Sequence, residues 1–259
     1  MRAVDYSTIT ELAGDEISVE QLVRLCHRYS WVGSKCAGKD VVECACGTGP
    51  GLGYLVERSR SIRAGDYSDN ILEIAREHYG SRIELLQFDA QEMPYRDHSA
   101  DIVILFEAIY YLPNAGRFVA ECRRVLRPGG QVLTATANKD LYDFNPSPHS
   151  HNYYGVLELH ELFSEHGFTA ECFGYLSIRD VSLRQRILRP VKRLAVRLNL
   201  MPQTADGKKW LKRLVFGSMI RMPAEIKEGM IPYAPPVPLA SSGPDREHKV
   251  IYCAAKLPD

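Results

Sequence analysis

Apolar residues in this chain follow two alternating periods. Continuous β-rich runs such as Val41-Val42 and Ile102-Val103-Ile104-Leu105-Phe106 are apolar on both faces, as in strands covered on both sides, and helical patterns lie between them. The pattern predicts a helix near 18–36, a strand at 40–45, a helix at 51–59, a strand at 61–66 and a helix at 69–79. Strands at 83–88 and 101–106, a helix at 114–126 and a strand at 130–136 follow. Pro128-Gly129-Gly130 is expected to stop the helix ending at Leu126 and turn the chain into the next strand. A helix at 157–166, a strand near 168–176 and a terminal strand at 248–256 complete the order. Such alternation implies an α/β fold with a parallel sheet and helices on both faces. Residues 1–39 then make an N-terminal helical cap, 40–176 with 248–259 the core, and 177–247 an insertion. Within the insertion, the prolines of 232–238 favour an extended path.

The first core strand runs directly into Cys46-Gly47-Thr48-Gly49-Pro50-Gly51-Leu52-Gly53. Four glycines in such a turn let backbone N–H groups approach a small molecule that side chains would hold away. The dinucleotide spacing G-x-G-x-x-G fits no register here, because the sixth residue is Leu52, Tyr54 or Val56 from Gly47, Gly49 or Gly51. No Gly-Lys-Ser/Thr follows the strand, which removes a phosphate P-loop.

The segment resembles the first motif of class I S-adenosylmethionine-dependent methyltransferases of the type 11, or UbiE-like, group. That motif is an acidic residue at a strand end followed by small-Cys-Gly-x-Gly, positions held by Glu43, Ala45, Cys46, Gly47 and Gly49. The family often has Asp and Gly where this chain has Glu43 and Ala45. The resemblance implies a Rossmann-like sheet of seven strands, the last antiparallel, with an α-helical insertion before the final strand. It also implies S-adenosylmethionine as cofactor. Glu43 is expected to act indirectly, bonding loop amides and shaping the turn.

Other segments match in the same order. Gly65-Asp66-Tyr67-Ser68 ends the second strand, where a carboxylate can accept hydrogen bonds from both ribose hydroxyls, so Asp66 and Tyr67 are expected at the ribose. Phe88-Asp89-Ala90-Gln91 resembles the segment whose Asp receives the adenine amino group, with Ala90 and Gln91 beside the base. The strand ending at Phe106 resembles the one whose end faces the transferring methyl. Cys26-His27-Arg28-Tyr29 resembles a His-Arg-Tyr segment of methyltransferases in surface-polysaccharide pathways, and Tyr29 could close over the cofactor or simply pack in its helix.

Methyl transfer from a sulfonium is an in-line displacement, and a hydroxyl acceptor must also lose a proton. Glu107, after the fourth strand, and His149 and His151, in the loop 145–154, are the candidates for general base. Tyr110, Tyr111, Tyr153 and Tyr154 are candidate substrate contacts. His149-x-His151 lacks a third ligand at recognisable spacing, and Cys44-x-Cys46 sits in a predicted strand and makes a poor metal clamp, so no metal site is expected.

Composition narrows the classes. With 45% hydrophobic and 25% charged residues over 259 positions, a sizeable core is available. No run of about 18 apolar residues marks a membrane span, and seven scattered cysteines suit reduced thiols and a cytoplasmic location. The net charge is zero, yet residues 177–230 hold thirteen Lys or Arg against four Asp or Glu. Leu183, Ile187, Val191, Leu194 and Leu198 recur at helical spacing among arginines there, with a second stripe at Leu211, Leu214, Val215 and Met219. A basic amphipathic lid of this kind fits an anionic substrate or a membrane surface. The resemblance favours O-methylation of a sugar hydroxyl on a glycan or on a nucleotide- or lipid-linked precursor. N-methylation or phenol O-methylation of a small metabolite stays open. An RNA methyltransferase is disfavoured, since no Asn/Asp-Pro-Pro-Tyr/Phe follows the fourth strand. A non-catalytic cofactor-binding scaffold is the remaining alternative.

Overall fold

The computed structural model describes residues 12–147, 149–179 and 219–259. Both basic stripes of the insertion up to residue 218, residues 1–11 of the cap and Pro148 lie outside the described residues. In chain order the elements are β1 (Glu16–Ser18), α1 (Val19–Gly33), β2 (Asp40–Cys44), α2 (Leu52–Val56), β3 (Ser61–Asp66), α3 (Asp69–Tyr79), β4 (Glu84–Gln87) and β5 (Ala100–Phe106). They continue as α4 (Ala115–Val125), β6 (Leu126–Ala137), α5 (Val156–Glu165), β7 (Thr169–Ser177), β8 (Met219–Arg221), β9 (Val237–Pro238) and β10 (His248–Lys256).

The main sheet has the order β4-β3-β2-β5-β6-β10-β7-β9. From β2 the chain moves outward to β3 and β4, then returns to place β5 and β6 on the other side, all in parallel. β10 is antiparallel to both β6 and β7. The expected seven strands are present, and the two-residue β9 adds an eighth at the edge, pairing Val237 and Pro238 with Gly174 and Phe173. Proline is tolerated on such an edge because no neighbour needs its missing N–H.

Strand geometry explains the continuous apolar runs. Successive side chains point to opposite faces. Val42, Val103 and Leu105 pack on one side with Phe118, Val119 and Cys122 of α4 and Leu159 and Phe163 of α5. Val41, Ile102 and Ile104 pack on the other with Leu25, Trp31 and Val32 of α1 and Leu55 of α2.

Two expectations are corrected. Pro128-Gly129-Gly130 does not separate α4 from its strand: β6 begins at Leu126, opposite Ala100, and the triplet forms an irregularity in the pairing before Gln131 meets Ile102. Met219 is not part of a helical stripe but stands in β8, opposite Ser18 in a separate two-stranded sheet. No helix among the described residues is long and apolar enough to cross a membrane.

Candidate active site

In an open parallel sheet, adjacent loops diverge where the strand order reverses and leave a crevice beyond the carboxyl ends. Here β2 and β5 flank that point, and a cavity of about 650 Å³ opens over them, a size in the range of small-molecule sites.

The glycine turn forms one wall. Gly47 and Gly49 have φ of 60° and 75°, the left-handed region that suits glycine. Ala45, where the family often has glycine, is held at φ 54° and Glu107 at φ 51°, so two non-glycine residues carry backbone strain at the cavity. Gly51 is required for space, because a Cβ there would lie 2.0 Å from Cζ of Tyr29. The Tyr79 hydroxyl donates to the Gly49 carbonyl at 2.6 Å and accepts from the Gly53 N–H at 3.2 Å, fixing the turn.

Asp66 at the end of β3 lines the cavity and is only 9% exposed. One carboxylate oxygen accepts from the Gly47 N–H and the other from the Ser68 N–H, each at 2.9 Å. Burial raises its pKa, opposed by these amides. Asp66 therefore does the turn-shaping expected of Glu43, while its carboxylate still lines the cavity.

Glu43 is corrected accordingly. It bonds no loop amide; Oε1 accepts from the Tyr29 hydroxyl at 2.5 Å, and the buried Oε2 has no hydrogen-bond partner among the described residues. Burial pushes its carboxyl up to about 7. Tyr29 packs in the core at 3% exposure and also lines the cavity.

Asp89, Ala90 and Gln91 line the far end. Asp89 Oδ1 accepts from the Gln91 N–H at 2.8 Å, and the Gln91 side-chain oxygen accepts from the Asn114 N–H at 2.9 Å, which locks the pair. Tyr67 lies at the mouth, half exposed. Phe106, Glu107, Tyr110, Tyr111 and His151 line the opposite side. Glu107 accepts from the Tyr110 hydroxyl at 3.2 Å and pairs with Arg28 at 3.6 Å. His151 is anchored by its backbone N–H to the Tyr110 carbonyl at 2.7 Å.

Four proposed contacts fall outside the lining: Gly49, His149, Tyr153 and Tyr154. Gly49 shapes the turn from behind. His149 is exposed, at φ 65°, in the loop away from the cavity. Tyr153 stacks on Tyr110 with ring centroids 4.4 Å apart and accepts from the Ser147 N–H, supporting the wall instead of forming it. Tyr154 packs against the α4–α5 core. Sequence reasoning missed Gln21, Arg24 and Leu25 of α1, Thr48 in the turn, and Met222, which the insertion delivers. The α1 residues recur three and four apart beside Arg28 and Tyr29, the one signal that marks them.

Residues 42–134 match the family model described as a methyltransferase domain. The chain carries a methyltransferase domain. Beyond it, the chain is 33% identical over 147 residues to a probable S-adenosylmethionine-dependent methyltransferase of Mycolicibacterium smegmatis, covering 55% of this chain and 57% of that protein. It is 38% identical over 112 residues to a fatty-acid O-methyltransferase of the same organism, covering 41% and 39%. The match thus spans little more than half the length of these curated relatives at most. A solved S-adenosylmethionine-dependent methyltransferase from Archaeoglobus fulgidus shares the fold, with a TM-score of 0.58, 13% identity, and coverage of 91% of this chain and 93% of that one. The methyltransferase domain supplies the turn, Asp66, Asp89 and Glu107; α1, the loop 145–154 and Met222 come from outside it.

Proposed function

We propose that the chain is an S-adenosylmethionine-dependent methyltransferase that O-methylates a hydroxyl, in the sugar of a glycan or of a nucleotide- or lipid-linked precursor. The observation that carries this is the convergence of the glycine turn, Asp66 and Asp89 on one cavity within a methyltransferase domain. The donor set fits the cofactor: carboxylates for a ribose diol and an adenine amino group, and an unpartnered buried Glu43 oxygen beside a turn open to the cationic methionine end. When bound, the cofactor supplies an activated sulfonium methyl for in-line displacement. Asp66 then holds the ribose, Asp89 and Gln91 the base, and Tyr29 with Phe106 closes the apolar side.

Of the base candidates in the cavity, both oxygens of Glu107 are engaged, by Arg28 and by the Tyr110 hydroxyl. His151 lines the same side on an anchored backbone, and its ring has no hydrogen bond to the described residues. His151 is therefore the proton acceptor and Glu107 the positioning group. A second acceptor class is favoured by the apolar lining of Leu25, Leu112, Pro113 and Met222, which suits an acyl chain such as the name of the fatty-acid relative describes.

Methyl-labelled cofactor offered with nucleotide sugars, oligosaccharides, fatty acids, phenols, amines and RNA tests this. Label should enter a sugar hydroxyl, and His151→Ala should lower kcat by roughly 10²–10⁴ with cofactor affinity kept. Label in amine or RNA would contradict the acceptor, and tight cofactor binding without any turnover would support a scaffold.

A further inference from the structure

Gln21, Arg24, Leu25, Arg28 and Tyr29 form one stripe of α1 facing the cavity. Both ends of that helix are tied down. Glu20 Oε2 pairs with Lys249 Nζ at 2.7 Å at the start of β10, and the Tyr29 hydroxyl donates to Glu43 of β2. Because β10 is antiparallel, its start lies at the carboxyl ends of its parallel neighbours, with Val250 opposite Ala137 at the end of β6. Helix α1 therefore starts at the carboxyl edge beside β10 and keeps one stripe, Glu20, His27 and Trp31, toward that strand, with His27 and Trp31 stacked on Tyr252. Arg28 reaches Glu107, the residue after β5. Arg24 lies on the stripe toward β10, four residues after Glu20 and three before His27. That places it on the side away from β3 and β4, whose ends carry Asp66 and Asp89.

Arg24 is half-buried and forms no ion pair with the described residues. A partly desolvated guanidinium facing a cavity gains most from a planar or tetrahedral oxyanion, which it can grip through two N–H bonds.

We propose that the methyl acceptor carries an anionic group, a phosphate or carboxylate, and that Arg24 holds it on the β6–β10 side of the cavity. The inference rests on the methyltransferase reading. An anion fixed there leaves the neighbouring hydroxyl to reach Glu107 and His151, so Arg24 sets which acceptors enter in productive orientation.

Two matched pairs of probes test it by calorimetry on the full chain with S-adenosylhomocysteine present: glucose 1-phosphate against methyl glucoside, and octyl phosphate against octanol. At least one phosphate ester should bind tenfold or more tighter than its uncharged partner. Arg24→Gln should abolish that difference, Arg24→Lys should keep part of it, and affinity for S-adenosylmethionine should stay within twofold. Equal affinities within both pairs, or no measurable binding of either phosphate ester, would overturn the inference while cofactor binding stands. A tenfold loss of S-adenosylmethionine affinity in Arg24→Gln, with the pair difference unchanged, would put Arg24 on the cofactor's own carboxylate and overturn it too. If the native chain fails to bind S-adenosylmethionine at all, the methyltransferase reading falls and this inference with it.

Discussion

Glu43 is a carboxyl with one oxygen spent on a tyrosine hydroxyl and the other buried without a partner among the described residues. Leaving such a group charged in an apolar setting is costly, which is why its pKa rises to about 7 from an ordinary 4.5. The folded chain holds this proton more tightly than the unfolded chain. The associated stability is therefore complete below about pH 4.5 and is lost as pH rises through about 7, on the order of 3 kcal/mol in all. Glu43→Gln keeps an acceptor for the Tyr29 hydroxyl and removes the charge. Urea unfolding midpoints between pH 5 and 8 should fall for the native chain and stay level for the variant, and equal slopes would contradict the assignment. A ligand cation beside Oε2 would reverse the penalty, so a buried, titratable carboxyl is in place where the positive end of the cofactor is proposed to lie.

At the scale of elements, the glycine turn is fixed from below by α3 and from above by α1. The Tyr79 hydroxyl bridges the Gly49 carbonyl and the Gly53 N–H, and the Tyr29 ring fills the space left by Gly51. Tyr79→Phe strands the buried Gly53 N–H, while the Gly49 carbonyl keeps the Leu52 N–H at 3.0 Å, and should cost about 1–3 kcal/mol. Thermal melting would register it, together with weaker cofactor binding from a looser turn; an unchanged melting temperature would show that the turn is held elsewhere. Much of this region was legible in the sequence, because strand, turn and terminal acid are contiguous: β3, α3 and β10 have the expected limits, and Asp66 and Asp89 fall in the cavity. What was not legible depends on groups distant along the chain. Asp66 takes the turn-shaping role foreseen for Glu43 because the Tyr29 hydroxyl, fourteen residues upstream of Glu43, takes that carboxylate first. Arg24 looks like the solvated side of an amphipathic helix until β10 fixes the start of α1 against the carboxyl edge of the sheet. Tyr153 carries the same composition cue as Tyr110 and stands behind it.

For the molecule as a whole, the two halves of the cavity have different origins. The side proposed for the cofactor is formed mainly by residues 42–134, where the methyltransferase domain match lies. The side proposed for the acceptor combines Glu107, Tyr110 and Tyr111 of that domain with segments that flank it. Residues 14–18 and 219–222 pair as a small sheet that brings in Met222, and the Ile226 N–H donates to the Pro50 carbonyl at 2.7 Å, seating this strap on the glycine turn. Glu225 secures it further by pairing with His78 and Arg82, each at 3.0 Å. Everything on the acceptor side presupposes that the cofactor binds where Asp66 waits. The most direct test is calorimetric titration of S-adenosylmethionine into the native chain and into Asp66→Ala, with melting curves as the control for folding. Saturable one-to-one binding, weakened in the variant by roughly 1–3 kcal/mol through loss of buried hydrogen bonds, is the predicted result. No binding by the native chain, or undiminished binding by a folded Asp66→Ala, would contradict it.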